Sequence, residues 1–113
     1  MAYNMDDLYL KYRKEREGID YIHVEGAFAT YKYVQDFCYL EDIYCIPELR
    51  DSGISHELAN KVEEEAKSKG YKKMLGSVDI NTNMPERSLR ACFNHGYKIL
   101  KLEGSVIWLH KEI

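Results

Sequence analysis

Arg50-x-x-Gly53-x-Ser55 is the stretch of this sequence best suited to hold an anion. It follows the apolar run Ile43-Tyr44-Cys45-Ile46-Pro47 and opens a segment with helical periodicity. Free backbone N–H groups from Gly53 to Glu57 would then face outward with the positive end of the helix dipole, and Gly53 would let a phosphate come close to the main chain. An ordinary strand-to-helix turn has the same pattern, so the loop alone does not decide between the two. The carboxylate Glu41 precedes the turn on the same β-rich run. The other reactive side chains are less organised. His23, His56, His95 and His110 fall on different elements without metal-ligand spacing and read as surface or internally satisfied histidines. Cys38, Cys45 and Cys92 form no C-x-x-C pair and are odd in number, so reduced thiols are expected rather than disulfides or a zinc site.

The elements that must position these residues follow from periodicity. Asn4 with Asp7 looks like a helix N-cap, and Met5, Leu8, Tyr9 and Tyr12 fall on one face of the helix that Gly18 ends. Residues 19–25 and 27–34 are rich in Tyr, Ile, Val and Thr around Gly26 and predict a hairpin, with a third strand over 37–46. Ile54, Leu58, Val62 and Ala66, with Ala59 beside them, form the apolar stripe of a second helix that Gly70 closes. Residues 72–80 read as a strand. Asn83 with Glu86 offers a cap and capping box for a helix from about Met84 to His95, and 97–102 with 105–110 form a final hairpin. The order is α-β-β-β-α-β-α-β-β, with no repeat or linker, which predicts one mixed α/β (α+β) domain over residues 1–113.

Composition narrows the function classes. The 113 residues carry 16 basic and 19 acidic side chains, a net charge of −3, with 45% hydrophobic residues. That balance argues against a protein held on nucleic acid by bulk charge and suits a cationic small substrate. No apolar run approaches the roughly 18 residues of a membrane span, and no signal-peptide order opens the chain, so an intracellular, cytoplasmic protein is expected. Lys11 to Arg16 is basic, but Glu15 and Glu17 interleave, as on a solvated helix face.

In that context the loop resembles the acetyl-CoA diphosphate loop of the GNAT superfamily of N-acetyltransferases, usually Q/R-x-x-G-x-G/A. The likeness continues through Gly70-Tyr71, the following strand, the Asn83 region and Arg90-Ala91-Cys92-Phe93-Asn94-His95-Gly96-Tyr97, which is similar to the family's Y-x-x-x-G-F helix end. It covers roughly residues 19–113. The resemblance implies an acyl-CoA N-acyltransferase fold, a mostly antiparallel central mixed sheet, splayed at its centre and flanked by helices. It implies acetyl-CoA as co-substrate and direct acetyl transfer to an amine. Arg50, Ser52, Gly53, Ile54 and Ser55 would cradle the diphosphate, and the main chain at Ile43 and Cys45 would meet the acetyl and pantetheine portion. Asn83 would contact the cofactor or cap its helix, and His56 would lie beside the diphosphate as a donor. The Tyr39-Leu40-Glu41-Asp42 run is similar to that of diamine acetyltransferases, which makes Glu41 the implied general base; a solvated or salt-bridged strand residue is its plainer role.

Departures from the family pattern define the alternative. Its frequent general acid, a Tyr, falls on Cys92, so the acid is Cys92, water or a nearby tyrosine. Asp51 brings a negative charge into the loop, Ser55 replaces Gly or Ala, and the chain starts almost directly with one helix, as in small GNAT-like proteins of tailed phages. A phage-encoded member would work in the host cytoplasm. The alternative is a GNAT-derived binding or structural module that has lost catalysis. The ten tyrosines could line an acceptor pocket or a homodimer face, although strand tyrosines are usually half-buried core.

Overall fold

The computed structural model describes residues 5–113. The elements run α1 (Met5–Glu17), β1 (Asp20–Val24), β2 (Ala27–Val34), β3 (Phe37–Cys45), a 3-10 turn (Pro47–Leu49), α2 (Ile54–Ser68), β4 (Lys73–Asp79), α3 (Pro85–Asn94), β5 (Lys98–Glu103) and β6 (Val106–Glu112). The expected order is observed, with the short 3-10 turn added where the chain leaves β3. The cap expected at Asn4, the side chains of Met5 and Asp7, and Tyr3 lie outside the described side chains.

The strands form one sheet in the order β1-β2-β3-β4-β6-β5. Every neighbouring pair is antiparallel except β3 and β4, which run parallel and pair only from Phe37–Tyr39 to Lys73–Leu75. Beyond that point β4 stays paired with β6 and β3 with β2, so the sheet parts at its centre. In β3 the register slips: Asp42 opposes Thr30 and Leu40 opposes Tyr31, leaving Glu41 as the extra residue of a β-bulge. A bulge bends its strand and re-aims its side chains.

One face of the sheet carries the core. Leu58, Val62 and Ala66 of α2 pack with Ala29, Tyr31, Cys38, Met74 and Leu109 of the strands, the stripe that the fourfold spacing predicts. Thr30 alternates with Ala29 and Tyr31, so its side chain is on the opposite face, where α1 meets it through Arg13.

Two local expectations are corrected. Leu8, Tyr9 and Tyr12 of α1 are exposed, and Leu10 is the buried residue. The helix docks through the side that carries Leu10, Arg13 and Lys14, because Arg13 pairs with Glu41 and Lys14 with Asp20. That ionic face outcompetes the tyrosines. At α3 the N-cap is Met84, in the left-handed region (φ 54°), with no side-chain cap bond, and Pro85 fills the first turn. Proline is pre-organised for that position and has no N–H to satisfy, so the Asn83–Glu86 capping box does not form.

Candidate active site

The parting of β3 from β4 opens a cleft of about 540 Å³ between the two strands, the N-terminus of α2 and the length of α3. Leu40 to Ile43 line it from β3, Gly76 to Val78 from β4, Asp51 and Gly53 to His56 from the loop and α2, and Ser88, Ala91, Cys92 and His95 from α3. Gly76 faces the ring of Tyr97, which a Cβ at this position would meet at 3.4 Å. An adjoining lobe of about 510 Å³ lies between Ile43 to Cys45, the loop and α3, and three arginines line it: Arg50, Arg87 and Arg90. Both volumes fall in the range of small-molecule sites.

The loop has the strained backbone that tight anion sites use. Gly53 (φ 88°) is the N-cap of α2, and no atom lies within 4 Å of where its Cβ would stand. Arg50 is held over the Tyr44 ring, its Cζ 5.8 Å from the centroid, and its Nε lies 3.4 Å from the carbonyl oxygen of Cys45. Ser55 donates to Cys45 Sγ at 3.7 Å and lines both lobes with Ile43. Ser52 does not line the cleft; its hydroxyl turns inward to the carbonyl of Leu49. Asn83 stays in the turn before α3, away from both lobes.

Asp51 lines both lobes, has φ 66°, and makes no ion pair among the described residues. It therefore combines left-handed strain with a negative charge beside the N-terminus of α2. Asp51→Gly is expected to relieve about 1 kcal/mol of strain and about 1 kcal/mol of repulsion, raising the thermal midpoint and tightening binding of a polyphosphate ligand roughly five- to tenfold. Thermal unfolding and calorimetric titration read the two effects separately.

The carboxylates of β3 are unequal. Glu41 is grasped by Arg13 at 2.5 Å and 3.0 Å and accepts from Thr30 Oγ1 at 3.1 Å. These donors, the Arg13 guanidinium foremost, hold its carboxyl below the usual range despite burial. Asp42 is pushed the other way. The protein packed around it disfavours its charged form even though it keeps contact with solvent, and the charge of Glu41 adds to the effect.

Cys92 lines the cleft, and burial pushes its thiol up from the ordinary value. All three cysteines are free thiols, Cys38 being pushed up to about 12 by burial. Tyr97 also lines the cleft, but its hydroxyl is buried without a partner and out of reach of solvent.

Sequence separation concealed one cluster. Expected on unrelated elements, His56 and His95 meet with their Nδ1 atoms 2.8 Å apart. His95 Nε2 is 2.6 Å from Glu63, and Lys111 Nζ is 3.0 Å from the other oxygen of that carboxylate. Glu63 and His95 are only 10% and 8% exposed, so this is a built network and not a surface coincidence. Among the described residues no cluster of side chains is suited to hold a metal ion, and no helix is long and apolar enough to cross a membrane.

A sequence model of the acetyltransferase (GNAT) family matches residues 20–97, most of the sheet, the cleft and all of α2 and α3. The chain belongs to the GNAT acetyltransferase family. Solved structures of similar fold agree with the observed topology. The PaiA N-acetyltransferase of Thermoplasma acidophilum, determined with coenzyme A, superposes with a TM-score of 0.74 at 16% identity over 98% of this chain and 80% of its own. Nourseothricin acetyltransferase gives 0.66 at 21% identity over 77% of this chain and 57% of its own. An anti-CRISPR protein gives 0.66 at 14% identity over 80% of this chain and 96% of its own. Among curated proteins none matches. The parted six-stranded sheet with its three helices is the GNAT acyl-CoA N-acyltransferase fold.

The residues present fit an acyl-CoA. A slot between two parted strands leads to a lobe with three arginines, beside a helix N-terminus whose cap has no side chain. In the sequence Arg87 has no evident role and Arg90 falls only within the helix-end run; their i, i+3 spacing, early in α3, is the signal that puts both on one face of the helix.

Proposed function

We propose that this GNAT protein transfers an acetyl group from acetyl-CoA to an amine by direct attack of the amine nitrogen on the thioester carbonyl. The observation that carries the reading is the parting of β3 from β4 beside the arginine-lined lobe, which joins a narrow slot for an extended thioester arm to a cationic seat for phosphates. Bound acetyl-CoA supplies the activated acyl group. Arg50, Arg87, Arg90 and the backbone N–H groups from Gly53 onward hold the phosphates, Ile54 and Ser55 shape that seat, and the unpaired edge of β3 at Ile43 and Cys45 faces the arm.

An amine is mostly protonated at neutral pH and must lose a proton before it attacks. Glu41, the base implied by the family likeness, is fixed by Arg13 as a standing negative charge. Its charge raises the proton affinity of the neighbouring Asp42, an effect that Arg13 opposes in part. Asp42 takes the proton, and once protonated it can donate a hydrogen bond back to Glu41. As the C–S bond breaks, the thiolate takes a proton from water. Cys92 is part of the cleft wall, its thiol pushed up by burial and so kept in the neutral form.

One observation favours a second reading, a GNAT-derived binding module without turnover: unpaired Asp51 lines the diphosphate seat. Calorimetric titration with acetyl-CoA and CoA, beside mass spectrometry of a panel of amines incubated with acetyl-CoA, separates the two. Saturable micromolar binding and acetylated amine are expected; binding without product favours the module, and no binding at millimolar ligand overturns both.

A further inference from the structure

Glu63, His95 and His56 form a chain of hydrogen bonds that runs from the packed side of α2 to the cleft, and no step of the reaction above uses it. Lys111 Nζ lies 3.0 Å and 3.2 Å from the two oxygens of Glu63, and an ammonium can only donate, so the carboxylate is the acceptor of that contact. His95 Nε2 must then carry the hydrogen that bridges the 2.6 Å to Glu63. Lys111 also donates to the His95 carbonyl at 2.8 Å, which fixes the backbone as well as the ring. Burial disfavours a charge on His95 and outweighs the opposing pull of Glu63, so His95 stays neutral and its Nδ1 is a bare acceptor. Across 2.8 Å, His56 Nδ1 must be the donor. His56 is thus held as the Nδ1–H tautomer, with Nε2 left as a lone-pair nitrogen that has no partner among the described residues.

The position of that ring gives the arrangement its use. His56 is exposed in the first turn of α2, three residues after Gly53, and lines the cleft, which adjoins the arginine lobe through Asp51 and Ser55. The groups around it are His95 of α3 in contact, Glu63 of α2 and Lys111 of β6 behind that contact, Glu57 next to it on its own helix, and Asp51, Glu41 and Asp42 around the same cleft.

We propose that His56 is a proton-linked ligand for the cofactor's diphosphate: it takes up a proton from solvent at Nε2 as the diphosphate arrives, and His95 and Glu63 are positioning residues that hold its tautomer for that purpose. The inference rests on the acetyl-CoA reading and adds to it a residue set and a pH linkage. A protonated Nε2–H is a charge-assisted donor to a phosphate oxygen, and its imidazolium is stabilised on the far side by the Nδ1–H bond to neutral His95. Proton uptake also offsets the charge of Asp51 at the moment an anion enters, and by linkage a site that takes up a proton on binding loses affinity as pH rises.

The test is calorimetric titration of the full chain with CoA near pH 7.5 in buffers of different ionisation enthalpy, which counts protons taken up on binding. Wild-type protein is expected to take up a substantial fraction of one proton. His56→Gln, a substitution at an exposed site, should bind CoA about tenfold more weakly and take up none. Glu63→Gln should retain binding with reduced uptake, a change that a purely structural role would not produce. If that variant fails to fold, ¹⁵N imidazole spectra of the wild-type protein provide the second measurement, with Nδ1–H expected on His56 and Nε2–H on His95. CoA binding without proton uptake, undiminished uptake in His56→Gln, or the opposite tautomers would overturn the inference while leaving the acetyl-CoA reading intact. Failure of the wild type to bind CoA at all would overturn both.

Discussion

Gly53→Glu is expected to abolish acyl-CoA binding, a loss of more than about a hundredfold, in a protein that remains folded. The substitution meets no neighbour, since no atom lies within 4 Å of its Cβ position, so its structural cost is confined to the backbone. Holding a non-glycine residue at φ 88° costs about 1–2 kcal/mol. The effect on the ligand is larger. A carboxylate at the N-cap of α2 occupies the N–H groups and the positive dipole end that the diphosphate would use, and it joins Asp51 in repelling the phosphates. Gly53→Ala separates the two effects, because it carries the backbone strain without the charge; it should lose stability by about 1 kcal/mol and keep binding within a fewfold. Titration of the glutamate variant at wild-type affinity would remove the loop from the cofactor site.

The second large effect is on turnover. Asp42→Asn is expected to lower kcat by about a hundred- to a thousandfold with little change in the KM for acetyl-CoA, because it removes the proton acceptor and leaves the phosphate seat intact. The pH profile shows which carboxylate is responsible. Wild-type kcat should rise with pH as Asp42 loses its proton, along a limb displaced upward from the ordinary aspartate value by the protein packed around it and by the charge of Glu41. Glu41→Gln removes that charge, so the limb should move to lower pH and turnover should fall as Asp42 becomes a weaker base. Asp42→Asn should lose the limb altogether. Unchanged activity of Glu41→Gln across the pH range, or an Asp42→Asn enzyme with full turnover, would sink the shared-carboxylate assignment.

The element order was legible because each element states its own period: the fourfold stripe of α2, alternation in the hairpins, and glycines at the ends. What escaped has a physical reason in each case. The Asn83–Glu86 box is a valid capping pattern, but Pro85 takes the first helical position and leaves Met84 in the left-handed region before it. The tyrosine stripe of α1 looks like a packing face, yet the helix is seated by Arg13, whose partner Glu41 is 28 residues away and re-aimed by a bulge. Helical spacing alone does not show that Glu63 is buried, since the partners that satisfy it, His95 and Lys111, arrive from the ends of α3 and β6. The cluster of His56 and His95 spans 39 residues and exists only because the end of α3 packs against the start of α2. Local signals therefore gave the loop and the strands of the cleft, whereas its electrostatics depend on contacts that only the assembled fold creates.

The grip of Arg13 on Glu41 also determines how the N-terminal helix comes away. Leu10 is the only buried apolar side chain among the described residues of α1, and the ion pair of Lys14 with Asp20 is long and exposed on the lysine side. Because the folded-state pKa of Glu41 is depressed, its contribution, on the order of 1–2 kcal/mol, is present above the ordinary glutamate value and is lost as pH falls through the depressed one. Mild acid therefore leaves α1 seated. Stronger acid detaches it while Leu58, Val62, Met74 and Leu109, which carry no charge, hold the sheet and α2 together. The helix behaves as a separately melting unit, and the first step of acid unfolding uncovers the face of the sheet that Arg13 covers while leaving the opposite, core-bearing face closed.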